Sequence, residues 1–299
     1  MSETAARSAV GDVAARLPPD SHVFKKIDST LRGWIGAESS AVLAALPGRD
    51  AHFAPAYPSR GRTLGADGVY RVMGVPLAHT EFSPEINGLP PDSTLAGFIA
   101  QHFGSLAHRV RLITAQSDAE LRAAVAAAPS SALWIGSPGL AIALAGEGAQ
   151  PTPPSPVPAC LAPAPIIVAA GSRRLVTQNQ TTALEAAVTS TATSRLSLLR
   201  IAESPFDPLR SATLADELGA RTAEAARATG ARGLILTGGD IAAAVFRHLG
   251  VASAEIVGEV EDGLPVLRSG HLHFVTKAGG FGDDLSLVRA YYRLTQFLS

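Results

Sequence analysis

The first half of the chain alternates short apolar runs with helical patterns. Four apolar runs have the length of buried strands: residues 22–27, 51–55, 110–115 and 132–136. Between the last two runs, residues 117–128 place apolar side chains at helical spacing. This alternation predicts an α/β domain with a mostly parallel sheet flanked by helices. Residues 55–87 are rich in Gly, Pro and Arg, so we expect one large loop over that sheet.

The second half repeats the alternation and then changes its pattern. Predicted strands cover residues 166–170, 196–201 and 233–236, and predicted helices cover about 177–188, 214–228, 240–249 and 285–298. A second α/β domain with a mostly parallel sheet follows from this order. Residues 255–277 instead contain three short strand-like pieces joined by Asp-Gly and Ser-Gly turns. They predict an antiparallel meander within the C-terminal domain.

A proline-rich segment separates the two halves. Residues 151–165 contain seven prolines, and proline at this density continues neither a helix nor a central strand. We therefore predict an extended linker over residues 146–165. The linker divides the chain into an N-terminal domain, residues 1–145, and a C-terminal domain, residues 166–299.

The composition narrows the classes of partner. The formal net charge of −1, with acids and bases interspersed, disfavours nucleic acid and favours a small-molecule partner.

The single cysteine, Cys160, excludes an intrachain disulfide framework and a thiolate-rich metal site. The N-terminus lacks the apolar core of a signal peptide, and no run reaches the roughly 18 apolar residues of a membrane span. We expect a cytoplasmic protein without a membrane partner.

Three glycine-rich turns in the second half each follow a predicted strand and precede a predicted helix. They cover residues 170–174, 237–240 and 277–282. Turns of this kind gather at the carboxyl edge of a parallel sheet, where helix N-termini attract phosphate groups. For the second turn alone, an ordinary connection with Asp240 as the helix N-cap is the alternative. The chain lacks both GxGxxG and GxxxxGK[ST], so it does not carry the usual nicotinamide or P-loop fingerprints.

A second candidate site lies in the first half, at the end of the strand that begins at His22. Residues 25–33, KKIDSTLRG, place cations, a carboxylate and hydroxyls close together. This chemistry suits an anionic, oxygen-rich substrate, and Arg32 can bind a carboxylate through two hydrogen bonds. The alternative is a helix that begins near Leu31, capped by Asp28 or Ser29, with solvated charges. Arg62 is the preferred second anion contact, and a solvated loop charge is its alternative.

Two further pairs of residues have ordinary structural interpretations. His271 and His273 alternate on a predicted strand and would share a face, but no third ligand accompanies them, so we predict no metal-ligating residues. Asp283 and Asp284 follow the last glycine-rich turn. We expect them to cap the C-terminal helix, and Mg²⁺ binding is the alternative.

Several of these segments together resemble the four-carbon acid sugar kinase family. The motifs KKIDSTLRG, PAYPSRGRT, GVPLAHTE, GSPGLA, AGSRRLVTQNQ, TGGD and KAGGFGD occur in family order from about residue 22 onward. The resemblance implies an N-terminal domain that binds a sugar acid such as threonate, erythronate or an oxo-tetronate. It also implies a C-terminal domain that uses ATP with Mg²⁺. By matching motif, the nucleotide contacts would be Ser172, Thr237, Gly238, Gly239, Asp240, Lys277, Gly279 and Gly280.

Within the N-terminal motifs, substrate roles can be assigned residue by residue. We expect Lys26 and Arg32 to hold the oxygens of the substrate, with Ser29 and Arg62 as further contacts. Asp28 is the candidate that orients or deprotonates the reacting hydroxyl.

The chain also departs from the family pattern. Family members usually begin with an aspartate-rich strand and turn of the type DDLTGA, which this sequence lacks, and Trp34 and Pro138 replace smaller or polar residues. The expectation is an N-terminally truncated or divergent member. A non-catalytic protein that binds nucleotide or sugar acid is therefore the alternative function. An incomplete sheet would leave an open edge, which favours a homo-oligomer.

Overall fold

The protein forms two compact units, Met1–Gln150 and Pro151–Ser299. The structure is a computed structural model that describes residues 2–87, 94–129, 131–146, 165–172, 174–189, 196–201 and 208–298. The predicted linker, apart from its two end residues, and Cys160 lie outside the described residues, as does Arg173.

The first unit contains a parallel sheet and a smaller antiparallel sheet. Its strands are β1 (Phe24–Lys26), β2 (Ala51–Ala54), β3 (Arg62–Leu64), β4 (Tyr70–Val72), β5 (Val75–Pro76), β6 (Val110–Leu112) and β7 (Leu133–Gly136). Its helices are α1 (Glu3–Ala14), α2 (Ile35–Ala45), α3 (Leu95–Phe103), α4 (Asp118–Ala126) and α5 (Pro138–Ala145). The parallel sheet has the order β1-β7-β2-β6.

The prediction of one large loop over residues 55–87 is wrong. Strands β3, β4 and β5 pair there as a small antiparallel sheet, which is flanked by short 3-10 helices at Pro58–Arg60 and Leu77–His79. These strands are two or three residues long. A strand of that length is too short to show the alternation of apolar and polar positions by which strands are recognised in a sequence.

The second unit is built on one mixed sheet. Its strands are β8 (Ile166–Ala170), β9 (Leu196–Arg200), β10 (Gly233–Thr237), β11 (Glu255–Glu259), β12 (Pro265–Ser269) and β13 (Leu272–Lys277). Its helices are α6 (Leu175–Thr189), α7 (Pro208–Thr229), α8 (Gly239–Leu249) and α9 (Ser286–Leu298). The order is β11-β12-β13-β10-β8-β9, in which β13, β10, β8 and β9 run parallel and β11 to β13 form an antiparallel meander.

The apolar run of β8 shows why this unit is layered. Ile166 and Val168 belong to a buried cluster with residues of α6 and α9. Ile167 and Ala169 belong to another, with residues of α7 and α8. Because successive side chains of a strand point to opposite faces, a strand covered by helices on both faces is apolar throughout. The predicted α/β fold, with two mostly parallel sheets and a C-terminal meander, is confirmed.

Candidate functional site

The three glycine-rich turns of the second unit begin side by side at one edge of the sheet. Thr237 at the end of β10 lies in register with Ala170 of β8 on one side and with Lys277 of β13 on the other. All three strands run parallel, so each turn leaves the sheet at its carboxyl edge, where open α/β sheets bind ligands.

Backbone hydrogen bonds connect the turns. The Gly171 N–H donates to the Thr237 carbonyl at 3.2 Å, and the Gly238 N–H donates to the Lys277 carbonyl at 2.8 Å. The Thr237 side chain is fully buried, so this residue contributes to the edge through its main chain. The turns therefore form one continuous surface rather than three separate loops.

Glycine is required where the turns touch. A Cβ placed on Gly279 would lie 2.3 Å from Ser172 Oγ, and one placed on Gly171 would lie 2.2 Å from Ile241 Cγ1. Both separations are far below van der Waals contact, so a side chain at Gly279 would push two turns apart and one at Gly171 would push its turn away from α8. A Cβ on Gly239 would meet nothing within 4 Å, which leaves open space above the start of α8.

The start of α8 offers unpaired amide groups. Its N-cap is Gly238, at a φ of 107°, without a side-chain hydrogen bond, so the alternative of Asp240 as N-cap is wrong. Asp240 lies in the first helical turn and is exposed. Within the described part of the chain, the N–H groups of Gly239, Asp240 and Ile241 have no hydrogen-bond acceptor. Such an N-terminus attracts anions.

Lys277 directs its ammonium group at the loop that follows it. Its Nζ donates to the carbonyls of Ala278 at 2.9 Å, Gly279 at 3.3 Å and Phe281 at 3.0 Å. Burial lowers the pKa of Lys277 to about 8, although the nearby charge of Glu261 acts in the opposite direction. The ammonium that we expected to face a nucleotide thus has all three N–H groups committed to loop carbonyls.

Two residues of α6, Thr177 and Gln180, hold the same loop. Thr177 Oγ1 donates to the Gly279 carbonyl at 2.8 Å, and Gln180 Nε2 donates to the carbonyls of Phe281 at 3.0 Å and Asp283 at 2.7 Å. Neither was selected from the sequence, because they lie about a hundred positions from the carbonyls they bind. Their only signal was inclusion in the motif AGSRRLVTQNQ.

A buried ion pair fixes the start of α9 beneath the loop. Arg289 Nε donates to Glu261 Oε2 at 2.7 Å, and both side chains are almost fully buried. Arg289 also pairs with Asp283, whose Oδ1 accepts from the Leu285 N–H at 3.0 Å. Burial would raise the pKa of Asp283, but the hydrogen bonds from Arg289 and from the backbone hold it below its usual range. Asp283 is thus engaged in shaping the turn before α9.

In the first unit, Asp28 organises the turn between β1 and α2. Its carboxylate accepts from the Thr30 N–H at 2.7 Å, from Thr30 Oγ1 at 2.5 Å and from Arg32 Nη2 at 2.6 Å. Burial would raise the pKa of Asp28, but the hydrogen bond and charge of Arg32 and the bonds from Thr30 outweigh it and lower the pKa. Asp28 is therefore a carboxylate at neutral pH, with most of its acceptor positions in use.

The alternative of a helix beginning near Leu31 is wrong. Leu31 has a φ of 57° and Gly33 a φ of 90°, both in the left-handed region, and α2 begins only at Ile35. A buried leucine in this conformation costs about 1 kcal/mol relative to a right-handed one. The turn is therefore held in a strained shape by its side-chain bonds, which present Arg32 and Asp28 together.

Arg62 comes close to this turn from the small antiparallel sheet. It is only 8% exposed, so the alternative of a solvated loop charge is wrong. Burial lowers the pKa of Arg62, and the nearby charge of Asp28 acts in the opposite direction. The Tyr70 hydroxyl lies 2.8 Å from both the Ser29 and the Pro55 carbonyl oxygens, which share its one proton. Tyr70, which the sequence did not indicate, ties the sheet to the turn and encloses Ser29.

The remaining candidates lie outside these clusters. Lys26 is exposed at the end of β1, where no described group binds its ammonium, whereas Lys25 pairs with Glu38 at 2.6 Å. His271 lies in the turn before β13, so its predicted sharing of a strand face with His273 is wrong. Over the described ranges, no three His, Cys, Asp or Glu side chains form a metal-ligand set, and no helix could cross a membrane.

Comparisons with protein families match both units. A sugar-binding N-terminal domain family matches residues 1–132, and a nucleotide-binding C-terminal domain family matches residues 206–287. The chain is 30% identical to a D-threonate kinase of Cupriavidus necator, over 92% of this chain and 80% of the relative. It is 31% identical to a D-threonate kinase of Bordetella bronchiseptica, over 90% of this chain and 76% of the relative.

A solved structure supports the fold. A Salmonella typhimurium LT2 protein described as a putative tRNA synthase superimposes with a TM-score of 0.61 at 21% sequence identity. The match covers 90% of this chain and 80% of that protein. At this identity the likeness concerns the architecture alone.

Proposed function

Because the chain belongs to the four-carbon acid sugar kinase family, we propose that it transfers the γ-phosphoryl group of ATP to a hydroxyl of a four-carbon sugar acid. Threonate, erythronate and oxo-tetronates make up the proposed substrate class, in keeping with the D-threonate kinases among its relatives. The observation that carries the proposal is the contact of three glycine-rich turns at the carboxyl edge of the second sheet.

The second unit would hold ATP at these turns. The unpaired N–H groups of residues 239–241 and the positive end of α8 suit the phosphates, and Gly239 leaves open space above them. Ser172 lies against Gly279 and brings a hydroxyl to the same edge. This chemistry fits a polyphosphate, which needs many donors and close approach to the backbone.

When bound, ATP and Mg²⁺ would supply the phosphoryl group and part of the charge neutralisation at the transferring oxygens. Mg²⁺ in kinases is usually held by one or two carboxylates together with phosphate oxygens. Asp240 meets that need, because its carboxylate is exposed in the first turn of α8. Asp283 is the weaker candidate, since its carboxylate is paired with Arg289.

The first unit would hold the sugar acid at the turn between β1 and α2. Arg32 and Arg62 provide the cationic groups for a carboxylate, and Ser29 and Lys26 complete the proposed contacts. Asp28, already ionised and hydrogen-bonded, is suited to orienting the attacking hydroxyl rather than to strong base catalysis. Phosphoryl transfer passes through a loose transition state, so the attacking hydroxyl needs little proton removal by a base.

We place this reaction in the cytoplasm and expect a homo-oligomer. In the described N-terminal sheet β1 and β6 are the outer strands, and outer strands offer unpaired backbone groups to a second chain. Size-exclusion chromatography with light scattering would measure the mass, and a strict monomer at micromolar concentration would contradict the oligomer.

The test is turnover by the full chain. The protein is incubated with Mg-ATP and each stereoisomer of threonate, erythronate and oxo-tetronate, while ADP release and the mass of the phosphorylated acid are followed. We expect one acid to yield product and ADP in equal amounts. Arg32→Ala should raise the KM for that acid, whereas Arg122→Ala, at an exposed position of α4, should not. ATP binding by calorimetry without product from any acid would instead support the non-catalytic binding protein.

A further inference from the structure

The carbonyl oxygens of the loop after β13 are turned inward by three side chains. The carbonyls of residues 278, 279, 281 and 283 each accept a hydrogen bond from Lys277, Thr177 or Gln180. Two carbonyls accept from two of these side chains: that of Gly279 from Lys277 and Thr177, and that of Phe281 from Lys277 and Gln180. The loop is thereby fixed from below, by the sheet edge and α6.

The amide groups of the same peptides are directed the opposite way. The described chain has no cis peptide bond, and in a trans peptide the C=O and the next N–H are antiparallel. The inward carbonyls therefore imply outward N–H groups at Gly279, Gly280, Gly282 and Asp284. Across the described residues none of these four amides has an acceptor, and all four positions are at least partly exposed to solvent. Outward amides gathered in one short loop offer several donors to an anion.

Lys277 is poorly placed to be a phosphate ligand itself. Its side chain is buried, and its three N–H groups are already donated to three carbonyls. Turning the ammonium toward a nucleotide would break its three hydrogen bonds at once, and the carbonyls of Gly279 and Phe281 would keep only those from Thr177 and Gln180.

We propose that Lys277, Thr177 and Gln180 are positioning residues that hold the amides of Gly279, Gly280, Gly282 and Asp284 outward to bind the phosphates of ATP. The role rests on the proposed kinase function, since it concerns the same nucleotide site. In this role the backbone amides of the loop, and not the lysine charge, contact the phosphates, while the ammonium acts on them through the carbonyl oxygens. Thr177 and Gln180 are thereby assigned a part in nucleotide binding without touching the nucleotide.

The test compares Thr177→Val with Thr177→Ser in the full chain. Dissociation constants for ATP and for inorganic tripolyphosphate are measured by calorimetry, together with the KM for ATP and for the sugar acid. The valine variant should weaken both phosphate ligands about fivefold, the worth of one hydrogen bond. The serine variant, which keeps the hydroxyl, should restore wild-type affinity. The KM for the sugar acid should stay unchanged, because the substitution acts only on the nucleotide site.

A double variant separates positioning from direct contact. In a Lys277→Met background, Thr177→Val should weaken ATP less than about twofold, because both residues act on the Gly279 carbonyl. The proposal would be overturned if Thr177→Val weakened ATP by the same factor in the wild type and in the Lys277→Met background. It would also be overturned if the single variant Thr177→Val bound ATP with wild-type affinity. If Lys277→Met does not fold, the single variants Gln180→Leu and Thr177→Val test the positioning role instead. Wild-type affinity for ATP in both variants would overturn the proposal.

The proposal and the kinase function can fail separately. A wild-type chain that binds tripolyphosphate and responds to Thr177→Val, yet phosphorylates no sugar acid, supports the positioning role and contradicts the kinase. A chain that turns over with unchanged affinity in Thr177→Val contradicts the positioning role alone. A chain that binds neither ATP nor tripolyphosphate contradicts both.

Discussion

Substitution of Gly279 by alanine tests the contact between two of the glycine-rich turns. The new Cβ would lie 2.3 Å from Ser172 Oγ and 2.7 Å from Ser172 Cβ, so one of the turns must move by roughly 1 Å to reach ordinary contact. A change of the Ser172 rotamer cannot relieve the clash, because it moves Oγ but not the Ser172 Cβ, which is itself too close to the new Cβ. We expect a loss of about 1–3 kcal/mol in the free energy of unfolding, as for other overpacked sites. The affinity for ATP should fall as well.

Denaturant unfolding and calorimetry with ATP measure the two effects. Gly239→Ala is the matched control for stability, because its Cβ meets nothing within 4 Å and the residue opens a helix. We expect that variant to stay within about 0.5 kcal/mol of wild type. Adding Gly279→Ala to a Ser172→Gly chain should cost far less than adding it to wild type. A Gly279→Ala protein with wild-type stability would refute the contact between the turns.

Three further predictions follow from buried groups. Arg289→Met leaves Glu261 buried without its partner and should cost about 3–5 kcal/mol of unfolding free energy, measured by denaturant titration. Tyr70→Phe removes the hydroxyl proton shared by the Ser29 and Pro55 carbonyls and should cost about 1–3 kcal/mol while raising the KM for the sugar acid. The lowered pKa of Asp28 stabilises the fold above the ordinary pKa of about 4, and this stabilisation is lost as pH falls through the folded pKa. The stability difference between wild type and Asp28→Asn should therefore shrink on acidification.

Each of these predictions has a contradicting outcome. An Arg289→Met chain as stable as wild type would mean that the ion pair is dispensable. A Tyr70→Phe chain with unchanged stability would contradict the shared hydrogen bond at 2.8 Å. A pH-independent difference between wild type and Asp28→Asn from neutrality down to about pH 2 would contradict the lowered pKa of that carboxyl.

The second unit could be predicted closely because its central strands are buried on both faces. The run IIVAA of β8 packs against helices on each side, so it is apolar throughout and stands out in the sequence. Glycines at strand ends showed where three turns would meet. The alignment of those ends follows from parallel pairing, which the repeated strand-helix order implies.

Interactions between distant segments could not be predicted in the same way. A solvated loop charge stayed open as the alternative for Arg62 because strands of two or three residues carry no periodic signal, and its burial is set by tertiary packing. The direction of the Lys277 ammonium depends on carbonyl positions, which residue types do not encode. Thr177 lies more than a hundred positions from the carbonyl it binds. Such contacts are set by tertiary packing alone.

Amide hydrogen exchange with and without Mg-ATP tests most directly whether the contacting turns bind the phosphates. Saturating Mg-ATP, verified by calorimetry, should slow exchange at Gly279, Gly280 and Gly282 and over residues 239–241. The distant meander strand β11 serves as the internal reference and should exchange at the same rate in both states. Binding of ATP that leaves the amides of both turns unchanged and slows exchange elsewhere would contradict the nucleotide site proposed for this protein.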